Sequence, residues 1–439
     1  MRTHLIHAPV APHGPPAPRR LSRLWAYLRS EQGIVQVATA VIVLHVADDN
    51  FIQPNGGTGA ADHLVSGLVP VAFLVGAAAG YPRFRPGARA TAAFLLGFFG
   101  VLTGSEAVYY TMAVGPSGDD YTGLVSIPAG LSLLMVGAVV LWTSRRRDDA
   151  LLWRYARRVL VTAGVLFAVM AVMFPIALSY VVTHTMRAGV PSGDLGVAHQ
   201  DVQFVTSDGL TLEGWYIPSR NGAAVISFPG RGASQEQAKM LATHGYGVLL
   251  FDRRGEGASD GDPNLFGWQG ERDVFAAIDF LQSREEVDPQ RIGAIGLSVG
   301  GEILIEAAAE TTALKAIVVE GASGRSIRDA LANREEPWWG LPSLAISSAS
   351  TALFTNTLPP DDLKSLVGRI SPRAIFFVYG ERGQPAEEPA NAIFYAAAGP
   401  PKAIWEVPGA KHMGGIDAEP QAYEQRIVAF FDAHLPNHR

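Results

Sequence analysis

The chain has 439 residues, enough for two or three folded units, and contains no cysteine, which excludes disulfides, thiolate catalysis and cysteine metal sites. Its formal net charge of −6 gives no basic field that would argue for nucleic acid. Only 17% of residues are charged against 48% hydrophobic, which is low for a wholly soluble protein, so the distribution of apolar residues along the chain matters.

Residues 1–30 begin MRTHLIHAPVAPHGPPAPRR. The stretch is basic and proline-rich, with no apolar run directly behind its charges, so a disordered basic tail is expected rather than a cleavable signal. Residues 31–183 hold about five apolar stretches near spanning length: Gly33–Val46, Leu64–Gly80, Ala90–Val114, Tyr121–Trp142 and Val159–Val182. Such runs in series predict a helical bundle in lipid, because a buried soluble helix rarely stays apolar on all faces for so long. The connectors alternate in charge. Arg19, Arg20, Arg23 and Arg29 precede the first span, and Asp48, Asp49 and Asp62 follow it. Arg83, Arg85 and Arg89 follow the second, and SRRRDDALLWRYARR leads into the fifth. Lys and Arg mark the cytoplasmic side, so the expectation is an integral plasma-membrane protein with a cytoplasmic N-terminus and everything after Val182 outside. His45, Asp48, Asp49, Asp62, His63 and Glu106 would gather toward that outer side. Their spacing matches no metal signature, so they read as solvated or bundle-bonded groups; a second reading is a polar pocket for a metal or a lipid headgroup.

Residues 184–196, with MRAGVPSGDLG at Met186–Gly196, read as a linker. From 197 to 439 strands alternate with helices. VQFVTSDGLTLEGWYIP predicts two strands joined at Asp208-Gly209. AAVISFP, YGVLLFD, RIGAIGL, LKAIVVE, RAIFFVYG and KAIWEVPG predict further strands. Helices are expected at Gln235–His244, over ERDVFAAIDFLQS and VGGEILIEAAAE, and at Tyr423–Leu435. This alternation predicts a mostly parallel sheet with helices on both faces. Ser298, in Gly296-Leu297-Ser298-Val299-Gly300, falls where a buried strand turns directly into a helix, and the flanking glycines leave room for a sharp turn that lifts the side chain above the sheet.

Three segments carry a resemblance to the α/β-hydrolase superfamily, specifically its esterase, acyl-aminoacyl-peptidase and dienelactone-hydrolase-like members: GLSVGG, GYGVLLFDRRGEGASDG and VPGAKHMGG. The resemblance implies an α/β-hydrolase fold after the membrane bundle. It implies Ser298 as nucleophile, His412 as base, and the backbone N–H groups of Val299 and Arg231 as oxyanion donors. The family's usual acidic loop reads YGERGQPAEEPAN here and holds no aspartate. Glu388 is the favoured acid, with Glu387, Glu320 and Glu381 as further candidates. Asp252, Arg254 and Ser259 are expected to fix the loop after their strand. An insertion at about 322–370 stands where the family places its lid. There Trp338, Trp339, Leu341, Leu344 and Phe354 would form either an apolar roof or the core of extra helices. The expected function is a membrane-anchored serine hydrolase that cleaves an ester or small amide of a small or lipid-like acyl substrate without a cofactor or metal. Two other functions fit the same residues: an acyltransferase with the same triad, and a non-catalytic hydrolase-like binding module.

Overall fold

Helix after helix precedes the first strand, which begins only at Gln200. The computed structural model describes residues 19–114, 118, 120–144, 151–185, 187, 189–193, 195–333 and 337–436. Most of the expected tail, residues 1–18, lies outside them, but its last part departs from the expectation: α1 (Arg19–Leu28) is helical. Leu24, Trp25 and Leu28 recur at helical spacing between arginines, and that amphipathic pattern, masked by the prolines before it, supports a helix.

The apolar helices are α2 (Glu31–Ala47), α3 (Leu64–Gly80), α4 (Pro86–Val114), α5 (Asp120–Thr143) and α6 (Leu151–Thr183). Five segments, Glu31–Ile52, Leu64–Arg83, Pro86–Met112, Tyr121–Thr143 and Leu152–Thr183, are long and apolar enough to cross a membrane. The first outlasts its apolar run because a π-helical turn at Asp48–Ile52 carries it on. Asn50 Nδ2 donates to the Val46 carbonyl at 2.9 Å there, so a polar side chain satisfies backbone that the turn leaves open.

The chain divides into two compact units. One comprises Met1–His45, Ala72–Val108 and Asp120–Ala168; the other comprises Val46–Val71, Tyr109–Asp119 and Val169–Arg439. The division therefore does not fall at the expected linker. The last turns of several apolar helices cluster with the C-terminal half, where Leu265 N–H donates to the Val182 carbonyl at 2.9 Å and Asn55 Nδ2 to Asp262 Oδ1 at 2.8 Å. In the first unit α4 and α5 meet through glycines. A Cβ at Gly130 would stand 2.7 Å from the Gly97 carbonyl oxygen, so only glycine permits this approach. His45 is buried there, its ring nitrogens 3.3 Å from Thr122 Oγ1 and 3.4 Å from the Thr103 carbonyl. His63, in the second unit, lies 3.0 Å from Thr58 Oγ1. Among the described residues no group of three or more His, Asp or Glu side chains is placed to hold a metal ion.

In the second unit the chain runs β1 (Gln200–Val205), β2 (Thr211–Ile217), β3 (Ala224–Phe228), α7 (Gln235–Thr243), β4 (Gly247–Phe251), α8 (Gly270–Gln282), β5 (Ile292–Leu297) and α9 (Val299–Glu310). It continues through β6 (Leu314–Glu320), α10 (Ile327–Asn333), α11 (Leu341–Phe354), α12 (Leu363–Val367), β7 (Ala374–Arg382), α13 (Glu387–Ala397), β8 (Lys402–Lys411), α14 (Gly415–Ala418) and α15 (Pro420–His434). The strands form one sheet in the order β1-β2-β4-β3-β5-β6-β7-β8, with only β2 antiparallel to its neighbours. Successive residues of a strand point to opposite faces, so the central strands, buried on both, are mostly apolar. Leu249 and Ile317 face a core shared with α8, α9 and α13, while Val248 and Val318 face the layer of α7 and α15.

The β1–β2 turn is tied to the loop after β4 by charge, through the buried Arg254. Arg254 donates to Asp273 Oδ1 through Nε at 2.8 Å and to Asp208 Oδ2 through Nη1 at 2.9 Å. Burial alone would raise the Asp208 carboxyl, but hydrogen bonds from Arg254 and Thr206 outweigh it and hold the group well below the usual carboxylate range. A depressed folded-state value stabilises the protein above the unfolded carboxylate pKa of about 3.9, and that stabilisation is lost as pH falls through the folded value. Asp208→Asn is therefore expected to lower the thermal midpoint at pH 7, and the gap from wild type should close as melts are taken below about pH 4.

Candidate active site

Ser298 follows the last residue of β5 at φ 51° and ψ −125°, a conformation that non-glycine residues rarely adopt. Two features hold it. Its amide donates to the Glu320 carbonyl at 2.7 Å, and its carbonyl accepts from Gly301 N–H at 2.9 Å as α9 begins. The flanking glycines are needed for space: a Cβ on Gly296 would lie 2.6 Å from Gly300 backbone, and one on Gly300 would lie 2.9 Å from Pro229 in the loop after β3. The strand, the turn, the helix and that loop thus close on one another, leaving the serine side chain as the part that projects.

His412 lies just beyond β8. Its Nε2 is 2.9 Å from Ser298 Oγ and its Nδ1 is 2.5 Å from Glu387 Oε1. An ionised carboxylate accepts only, so Nδ1 carries the proton and Nε2 presents its lone pair to the serine hydroxyl. Glu387 is buried, its side chain 1% exposed, and its Oε1 also accepts from Gln384 N–H at 2.7 Å.

The acid facing the histidine is therefore Glu387 and not the favoured Glu388. α13 begins at Glu387, and the inward stripe of that helix runs Glu387, Ala390, Asn391, Phe394 at helical spacing. Glu388 is turned about 100° from that stripe and is exposed. Glu320 and Glu381 are both engaged elsewhere. Glu320 accepts from Gly415 N–H at 2.8 Å and from Tyr423 Oη–H at 2.6 Å, so it anchors the loop that follows His412; burial pushes its carboxyl up. Glu381 is exposed and accepts from Gly409 N–H at 2.6 Å.

Residues 197–363 match the family model described as X-Pro dipeptidyl-peptidase (S15 family). The match takes in the sheet from β1 to β6 and the serine turn, and ends before Glu387 and His412. The C-terminal half is an α/β-hydrolase domain. The chain is 38% identical over 117 residues to the polyketide transferase grgF of Penicillium sp, which takes in 25% of this chain and 40% of that protein, so it spans well under half of that relative. It is 24% identical over 253 residues to the uncharacterized protein YfhR of Escherichia coli K12, covering 53% of this chain and 80% of that one. Among solved structures, the α/β hydrolase GrgF from Penicillium sp. sh18 aligns with a TM-score of 0.47 at 22% identity over 55% of this chain and all of its own, 100%. The Pyrococcus furiosus esterase Pf2001 aligns with a TM-score of 0.46 at 22% identity, covering 57% of this chain and 98% of that one.

Two further groups in the hydrolase domain bear on the expected oxyanion donors. Val299 is the first residue of α9, where an N–H has no intrahelical acceptor. Arg231 N–H, in contrast, donates to Asp252 Oδ1 at 2.8 Å, and its Nε donates to Oδ2 of the same carboxylate at 2.8 Å. The Arg231 amide is thus committed to a buried ion pair, which corrects the expectation that it faces the serine. The other loop residues do as expected: Ser259 Oγ–H donates to the Asp252 carbonyl at 2.6 Å and Arg254 pairs with Asp273.

Sequence reasoning missed the residues that shape the hydrolase domain's acid. Gly321 has φ +73°, and a Cβ there would come within 3.2 Å of His412. A Cβ on Gly383 would stand 2.4 Å from Glu387 Oε2. Gly383→Ala must therefore displace the carboxylate. A displacement near 1 Å is worth about 100-fold in rate, so kcat on a soluble ester should fall by about that factor while the melting curve stays close to wild type. Glu302 was also missed: its Oε1 accepts from Ser323 N–H at 2.9 Å and Gly324 N–H at 2.8 Å, fixing the loop after β6 to α9. Glutamates among the apolar residues of VGGEILIEAAAE, Glu302 between Gly301 and Ile303 first among them, were the available signal.

The insertion between β6 and β7 is helical, as expected, but its tryptophans form neither a roof nor a core. Trp338 is 82% and Trp339 70% exposed, and Leu341 also faces outward; Leu344 and Phe354 are half-buried.

Proposed function

We propose that the chain is a membrane-anchored serine hydrolase acting on an acyl ester or small amide. The observation that carries this reading is the unbroken hydrogen-bonded series from Ser298 Oγ through His412 to the buried Glu387. In it, Ser298 Oγ attacks the acyl carbon as its proton passes to His412 Nε2. Glu387 holds the ring and stabilises the imidazolium. Val299 N–H and the positive end of α9 favour the charge on the tetrahedral oxygen. His412 then gives its proton to the departing alcohol or amine, leaving an acyl-serine. Water, deprotonated by His412, releases the acid and restores the hydroxyl. A fluorophosphonate probe tests the assignment: wild type should label and Ser298→Ala should not. Labelling of the variant at the wild-type rate would end it.

Transfer of the acyl group to an alcohol is a second reading, supported by the names polyketide transferase and thiohydrolase among the relatives. The two differ only in what meets the acyl-serine, so the ratio of free acid to new ester at increasing alcohol concentration separates them. The arginine-rich connectors support a cytoplasmic N-terminus and an extracytoplasmic hydrolase domain. A reporter fused after Arg439 should accordingly behave as extracytoplasmic, and a cytoplasmic signal would reverse the topology.

A further inference from the structure

Two exposed tryptophans side by side, at the head of an apolar helix, call for an explanation, since large aromatic side chains normally bury their area. Their place along α6 supplies one. The apolar run Val159–Val182 of α6 is about 36 Å long, against a hydrocarbon core of about 30 Å, so in a bilayer it crosses, its last turn can reach the lipid boundary. Ser179 lies in that last turn and is fully buried, because α11 sits on it: its Oγ–H donates to the Ser347 carbonyl at 2.8 Å and its Oγ lies 3.0 Å from Ser347 Oγ. A second tie joins the same two helices at their ends. Tyr180 stacks on His184 at 3.9 Å, and Phe354, the last residue of α11, meets Tyr180 edge-on at 5.6 Å. Away from α11, α6 keeps Met170, Phe174, Leu178 and Val181 exposed at helical spacing, the pattern of a lipid-facing side.

These contacts hold α11 against the C-terminal end of α6, the last of the five apolar helices. Trp338 and Trp339 stand immediately before α11, and tryptophan is enriched at the membrane–water interface because it has an apolar body and a polar N–H. We propose that the insertion from Trp338 to Phe354 rests on the bilayer crossed by the chain's own helices, with the Trp338–Trp339 pair sunk in the headgroup layer, and that Ser298 draws a long-chain acyl ester from that bilayer. The substrate half of this proposal rests on the serine-hydrolase reading; the membrane contact does not.

The test uses the full chain in nanodiscs. Lipids brominated near the headgroup end of the acyl chain should quench wild-type tryptophan fluorescence more than that of the Trp338→Ala/Trp339→Ala variant. On p-nitrophenyl palmitate carried in the nanodisc the variant should lose about tenfold in kcat/KM, while p-nitrophenyl acetate in solution should be turned over within about twofold of wild type. Trp338→Phe/Trp339→Phe should restore the palmitate rate, since phenylalanine also partitions into the interface. Equal quenching of wild type and variant overturns the proposal, as does a parallel fall on both esters that the phenylalanine pair fails to restore. Absence of ester turnover in the wild type would instead defeat the hydrolase reading, and the quenching comparison would still decide the membrane contact.

Discussion

Ser298→Ala should fold as wild type does and lose ester turnover by about 10⁴-fold or more. The hydroxyl contributes one contact, the 2.9 Å hydrogen bond to His412 Nε2. The strained φ of 51° belongs to the backbone and is the same for alanine, and the amide bond to the Glu320 carbonyl is untouched. What disappears is the oxygen placed to form the acyl intermediate. His412→Ala should lose comparable activity, but it has a second consequence. It strips the buried Glu387 carboxylate of the donor at His412 Nδ1, leaving the Gln384 amide, and loss of a donor to a buried acceptor costs about 1–3 kcal/mol. The serine variant should therefore melt with wild type and the histidine variant below it. Because both residues act on one proton, the double variant should be no slower than either single one. Near-wild-type kcat in a folded Ser298→Ala protein, measured on p-nitrophenyl acetate, would remove the assignment.

Much of this site could be read from residue order, and the parts that could not share a cause. The strand-turn-helix around Ser298 is local: an apolar run, glycines on either side and a helix-forming segment define it within a dozen or so residues. The same holds for the strands, whose apolar runs bounded by turns match β3 to β8. Glu387 and Glu388 are different. Which of two adjacent glutamates turns inward depends on where α13 begins, and a shift of one residue rotates a helix face by about 100°. The Arg231 amide was misread for a related reason. Its acceptor, Asp252, lies on another strand's loop, and nothing near Arg231 in the sequence announces it. The exposure of Trp338 and Trp339 was equally hidden, since an apolar pair before an apolar helix reads as roof or core until the helix has been packed against a neighbour.

The glutamates decide among themselves in one series of variants. Glu387→Gln keeps the shape of the side chain but removes its charge. It offers an amide oxygen or an NH₂ to His412 Nδ1, and neither stabilises the imidazolium as a carboxylate does. The loss in kcat on a soluble ester should be about 10⁴-fold, the order expected when the orienting acid of such a triad becomes an amide. Glu388→Gln, on the exposed side of α13, should stay within about twofold of wild type, as surface substitutions usually do. Glu320→Gln is the more searching control, because Glu320 is buried and lies close enough to Glu387 and His412 to interact with both electrostatically. Its carboxyl is pushed up by burial, and glutamine can still accept from Gly415 N–H and pair with the Tyr423 hydroxyl. The loop carrying His412 should then keep its place, and kcat should fall by no more than about tenfold. A large loss in Glu320→Gln beside a small one in Glu387→Gln would transfer the acid to the end of β6. Large losses in both would mean that the two carboxylates act on His412 as a coupled pair.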